Sequence, residues 1–216
     1  MQNKFKLSIN TGFALNRFAE AEDLASFCKN YLNIKFIQPT SDWLYLNMPR
    51  SFSVNYVNKI NKIFSRYNLE VNSTFTGAYT RLNHLAHPDR SHQDYWVNWF
   101  KHFIDISVDL GAKYSGSHLG ILTYKDNKSK KRDSILINRV LGNWEKIAEY
   151  ACKKKLKALI WEPMSISREF GDTINECKKI QKKLNQKSKI NFKICLDMGH
   201  GNLNSKNKNN FDPYCW

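Results

Sequence analysis

The chain's 216 residues allow one domain with a sizeable core, and 42% hydrophobic and 13% aromatic residues are ordinary for a globular protein. No run of 18 apolar residues exists and Met1 to Asn10 holds no stretch of signal-peptide length, so neither a membrane span nor a secreted chain is expected, and a cytoplasmic protein follows by default. The net charge of +15 invites nucleic acid, but the densest basic runs (Lys128 to Arg132, Lys153 to Lys155, Lys178 to Lys189) lack regular aromatic interleaving. They read as solvated faces, no nucleic-acid partner is expected, and the same field would draw in a small phosphorylated molecule.

The chain alternates short β-branched or aromatic runs with segments of helical period. The first run is Lys6 to Asn10, followed by a helix through Leu24, Phe27, Cys28 and Tyr31 that Asn33 stops. The second is Lys35 to Ser41, with a helix through Val57, Ile60, Ile63 and Phe64 ending near Asn68. The third is Leu69 to Gly77; a loop bearing His84 and His87 leads to Pro88-Asp89 and a helix striped by Trp96, Trp99, Phe100, Phe103 and Leu110, closed by Gly111. The fourth is Lys113 to Gly120, with Val140, Trp144, Ile147, Ala148 and Ala151 on its helix. The fifth is Lys157 to Pro163, followed by Ile174, Cys177, Ile180 and Leu184; the sixth is Phe192 to His200, trailed by a Gly/Asn/Lys/Ser loop to Asn210. Cys28, Cys152, Cys177, Cys195 and Cys215 are odd in number without C-x-x-C spacing, so free thiols are expected.

Such alternation means a parallel sheet with right-handed crossovers. An open doubly wound nucleotide binder should carry G-x-G-x-x-G after an early strand, and Asn10 to Asn16 holds one glycine. Polar residues recur where the runs end (Asn10, Ser41-Asp42, Thr74 and Thr76, His118, Glu162, Asp197, His200), as on the active face of a (β/α)₈ barrel. Run starts span residues 6 to 192, a repeat of about 37 residues. Eight such repeats need roughly 300. The expectation is a single α/β domain over residues 1–216: a TIM barrel of about six βα units, lacking strands seven and eight.

Glu162 and Asp197 end the fifth and sixth runs, and neighbouring barrel strands lie about 4.8 Å apart, so the carboxylates can converge on one ion. With a histidine and water beside them they suit Mn²⁺, Mg²⁺ or Co²⁺. Helix capping in the βα loops is the competing reading, and spacing alone leaves both open. His200, three residues after Asp197, can reach something held on such an ion, and His118 lies between small residues at the fourth run's end. His84 and His87 fit function or structure equally. His92 and His102 read as solvated. Arg168, Glu169 and Arg81 fit either substrate binding or a rim salt bridge.

Several stretches resemble the xylose-isomerase-like TIM-barrel sugar-phosphate isomerases and epimerases, closest among them to the D-erythrulose 1-phosphate 3-epimerases: Ile9 to Arg17, Ser73 to Asp89, Gly116 to Thr123, Trp161 to Glu169 (W-E-P-M-S-I-S-R-E), Cys195 to Gly201 (C-L-D-M-G-H-G) and the terminal D-P-Y-C-W. The resemblance implies a phosphorylated small ketose as substrate, Glu162 as metal ligand and catalytic carboxylate, Asp197 as second ligand, and His200 beside the substrate; by their positions in the sequence, His118, Arg168 and His84 are the further candidates for substrate binding. It implies an enediolate, with a second glutamate returning the proton from the opposite face. The family's remaining histidine ligand and second glutamate belong to strands seven and eight, so this chain is expected to be weak or inactive alone. Homo-oligomer formation stays open. Two other readings stand beside this one: a zinc phosphodiesterase resembling the apurinic-site endonucleases, and a sugar-binding remnant without catalysis.

Overall fold

Each strand-like run of the sequence is met by a short strand, and each helical stripe by a helix. A computed structural model describes residues 5–200, 206–210 and 212–216. It separates into two compact units, Met1–Tyr79 with Phe103–Ser115, and Thr80–His102 with Gly116–Trp216; helix α3 (Arg90–Asp109) and strand β5 (Tyr114–His118) give residues to both.

In the first unit, β1 (Ser8–Asn10), β2 (Phe36–Gln38) and β3 (Glu70–Val71) form a parallel sheet in that order, with Ile9 opposite Ile37 and Ile37 opposite Val71. The third run divides at Asn72, whose carbonyl accepts Lys113 N–H at 2.9 Å. Its second half, β4 (Ser73–Phe75), meets Thr40 through a parallel Thr40–Phe75 bridge. Helices α1 (Ala21–Ser26) and α2 (Arg50–Arg66) bury Leu24, Ala25, Val57, Ile60 and Phe64 around Ile37 and Trp43. Asn33 and Asn68 stop them in the left-handed conformation, at φ 50° and 54°, where asparagine is tolerated better than a branched residue.

Two expectations are corrected here. The first helix widens into a π-helical stretch over Phe27–Tyr31, which turns Tyr31 out of the apolar stripe to stack on Phe27 in solvent. Thr74 is a core residue, not a rim residue: its hydroxyl lies 2.6 Å from Ser107 Oγ and 3.1 Å from Ser115 Oγ, and burial of three hydroxyls is offset by these mutual bonds.

In the second unit the strands run β5, β6 (Ala158–Glu162), β7 (Asn191–Ile194), with β6 and β7 parallel from Ala158–Asn191 to Trp161–Ile194. A short helix, α4 (Tyr124–Asn127), not legible in the sequence, precedes α5 (Lys130–Lys153); α6 (Ile174–Lys187) follows β6. The aromatic stripe of α3 meets α5 where Phe100 packs on Trp144, centroids 4.8 Å apart, and the Trp144 indole N–H donates to the Leu119 carbonyl. The ring nitrogens of His102 are sealed from solvent, against the solvated reading; His92 is exposed and stacks on His87. All five cysteines are free thiols, and no helix among the described residues is long and apolar enough to cross a membrane.

Candidate metal and active site

Alternation along β6 puts Leu159 and Trp161 on the buried face, with the Trp161 indole N–H donating to Gln181, and leaves Ile160 and Glu162 on the other. Glu162 is the last residue of the strand, and Pro163 ends pairing there. β7 stops at Ile194, although Cys195 N–H still donates to the Trp161 carbonyl at 2.8 Å. Asp197 is therefore not a strand-terminal residue as its position in the run predicts: it sits in the turn beyond. Its Oδ1 accepts Gly199 N–H at 2.7 Å and its carbonyl accepts His200 N–H at 3.0 Å, a turn that folds His200 back toward β6.

The result is a cluster. One ligand atom each from Glu162, Asp197 and His200 lie within 4.8 Å of one another, a group able to hold a metal ion. His200 Nδ1 is 3.4 Å from Glu162 Oε1 and 3.2 Å from the Pro163 carbonyl; its Nε2 is 3.4 Å from Asp197 Oδ2. A ring with one proton satisfies only one side. If Nδ1–H donates to Pro163, the Nε2 lone pair faces a carboxylate oxygen, two acceptors with nothing between them. A cation taken by the two carboxylates relieves the conflict and leaves Nε2 to accept a ligand's hydroxyl, so the donor set fits a divalent ion, with the Pro163 carbonyl orienting the ring from behind. The side chains are 18% (Glu162), 23% (His200) and 46% (Asp197) exposed, so the site is set into the surface yet open to solute. Burial pushes the Glu162 carboxyl above the usual range; His200 opposes this, Asp197 adds to it, and Arg81 opposes it from further off. Burial and the same two carboxylates push the Cys195 thiol up to about 11, which keeps it protonated and inert.

His84 and His118 do not join this cluster. They form an internal pair with ring centroids 4.6 Å apart, 1% and 5% exposed, and His84 packs against Trp96 and Phe100. Leu85 N–H donates to His84 Nδ1, and His118 Nε2 lies 2.6 Å from the Thr80 carbonyl. Burial holds His84 far below its ordinary pKa and draws His118 down to about 4. Both rings are therefore neutral, and both stand apart from the carboxylate cluster. Arg168 is half-buried, its Nη1 donating to the Leu122 carbonyl. Arg81 and Glu169, each read from sequence as substrate-binding or salt-bridging, pair with one another: Nε to Oε1 at 2.9 Å and Nη2 to Oε2 at 3.1 Å, with the Glu169 side chain 1% exposed. Eighty-eight positions separate the partners, and nothing local marks either as the other's mate.

Residues 31–214 match the family model described as the xylose isomerase-like TIM barrel. The chain belongs to that family. Over 211 residues it is 39% identical to the D-erythrulose 1-phosphate 3-epimerase of Brucella abortus, covering 97% of this chain and 68% of that enzyme. It is thus homologous to an enzyme of the isomerase class. A solved Rhodospirillum rubrum protein assigned as a xylose isomerase superposes with a TM-score of 0.86 at 24% identity, over 91% of this chain and 67% of that one. The D-psicose 3-epimerase of Clostridium cellulolyticum H10 gives 0.71 at 14% identity, over 95% and 68%. These two show the fold, the parallel βα plan of a TIM barrel. The chain spans about two thirds of the length of the relatives it matches.

Proposed function

We propose that this chain acts in the epimerisation of a small phosphorylated ketose of the D-erythrulose 1-phosphate kind. Glu162 and Asp197 hold a divalent cation (Mn²⁺, Mg²⁺ or Co²⁺), and His200 steers the substrate oxygen beside it. The observation that carries the reading is the convergence of these three side chains within 4.8 Å at the ends of β6 and β7; the 39% identity to a sugar-phosphate epimerase supplies the substrate class.

A bound divalent ion polarises a ketose carbonyl and acidifies the neighbouring C–H. The chain's own groups do the rest. Asp197, tied down by Gly199 N–H, supplies fixed negative charge. Glu162 takes the proton: burial raises its basicity, which brings a carboxylate closer to what proton abstraction needs. His200, oriented by Pro163, presents Nε2 to the substrate side. The proton returned from the opposite face does not come from Glu169, since both of its oxygens are bonded to Arg81 and the side chain is shut away from solvent.

Solvent exchange tests the reading directly. In D₂O with Mn²⁺, the chain is expected to wash deuterium into the epimerisable carbon of D-erythrulose 1-phosphate, followed by NMR, and Glu162→Gln to slow this by about 100-fold or more. No exchange in the wild-type chain, or equal exchange in the variant, contradicts it. The apurinic-site endonuclease reading would need a histidine at the end of the third run, where the chain reads Thr74-Phe-Thr-Gly77.

A further inference from the structure

Resting on the phosphorylated-ketose reading, we infer that Arg81 is the residue that grips the substrate's phosphate. Most surface arginines are loosely held; this one is fixed at both ends. Its backbone follows Thr80, whose carbonyl lies 2.6 Å from the buried His118 Nε2 and also accepts Leu82 N–H at 2.7 Å. Its guanidinium is locked edge-on to Glu169, and Glu169 is itself held by an antiparallel bridge to Ile121 and by its N–H donating to the Ile166 carbonyl. This accounts for the internal His84–His118 pair: it braces the turn from which Arg81 projects.

Nε and Nη2 are used on Glu169, which leaves the Nη1 side of the fork, on a side chain 50% exposed, for an anion. A guanidinium pre-set in this way loses little freedom on binding, and its planar fork suits phosphate oxygens. Its place is also right. Arg81 is locked to Glu169, seven residues along the loop that leaves β6 at Glu162. A small ketose whose reacting end sits at Glu162 carries its phosphate only a short chain away. A phosphate dianion near Glu162, Asp197 and Glu169 also needs a fixed positive charge to offset repulsion, and Arg81 supplies it.

The test is calorimetric titration of the Mn²⁺-loaded chain with D-erythrulose 1-phosphate and with D-erythrulose. Removing Arg81 alone would strand a buried carboxylate, so the main variant is Arg81→Gln/Glu169→Gln, which exchanges the ion pair for two amides. Wild type is expected to prefer the phosphorylated sugar by about tenfold or more, and the double variant to lose that preference while its affinities for D-erythrulose and for Mn²⁺ stay within about twofold. Arg81→Lys, which keeps the charge without the fork, should retain part of the preference. Arg66→Gln, which removes the same charge from a surface ion pair with Glu22, should retain all of it. Persistence of the preference in the double variant, or its equal loss in Arg66→Gln, overturns the assignment. Equal affinity of wild type for both sugars overturns it while leaving the sugar reading standing; binding of neither overturns both.

Discussion

Glu162 and His200 owe their chemistry to neighbours rather than to their own identity. A carboxyl on a strand face is ordinary until burial and a second carboxylate make ionisation costly, and an imidazole is ordinary until a carbonyl fixes its Nδ1 side. If His200 acts on the substrate, His200→Ala should weaken binding of D-erythrulose 1-phosphate by about tenfold or more while Mn²⁺ affinity falls by less than about threefold. The reverse order of losses would make it an ion ligand instead. Elsewhere, Glu176 sits at the start of α6, its N–H donating to the Thr173 hydroxyl. Burial, and then its hydrogen bond with Asp172, push its carboxyl up to about 8. Its folded pKa lies above the unfolded one, so the neutral carboxyl's contribution to stability is complete below about 4.5 and is lost as pH rises through about 8. Chemical denaturation should therefore show Glu176→Gln gaining on wild type between pH 5 and pH 9; a difference independent of pH would contradict this.

Turns decide how the elements place such residues. Ser41 and Asp42 mark the end of the second run, and in the folded chain they hold a turn together. Ser41 Oγ accepts Gly77 N–H at 3.0 Å and donates to Asp42, whose Oδ2 accepts Tyr79 N–H. A Cβ at position 77 would stand 2.4 Å from the Asp42 carboxyl carbon. Gly77→Ala is expected to destabilise the chain by about 1–3 kcal/mol in urea titration, and an unchanged midpoint would show the turn to be slack. Element by element, period and punctuation carried far. The stripes of α2, α3, α5 and α6 were legible because one face of each is buried, and Asn33, Asn68 and Gly111 marked stops that all proved to have positive φ. Failures came where tertiary contacts override local pattern. The bond from Lys113 to Asn72 splits one strand into β3 and β4, and the turn at Asp197 lies past the strand that the run implies. Among site residues, the D-x-x-H spacing exposed Asp197 and His200, whereas burial of His84 and His118 and the pairing of Arg81 with Glu169 depend on contacts far apart in sequence.

For the whole molecule, belonging to the xylose isomerase-like TIM barrel family gives the βα repeat a purpose: successive strands bring the residues that follow them to one end. Glu162 and Asp197, 35 positions apart, meet because β6 and β7 are paired in register and α6 returns the chain between them. The proposed chemistry requires these two carboxylates to share one cation, and Mn²⁺ titration followed by electron paramagnetic resonance measures that sharing most directly. Wild type is expected to take up a single Mn²⁺, and Asp197→Asn and Glu162→Gln each to weaken it by about tenfold or more, with far-ultraviolet circular dichroism unchanged. Affinity that survives both substitutions, or a wild-type chain that takes up no Mn²⁺, would contradict a shared cation and the epimerase chemistry built on it.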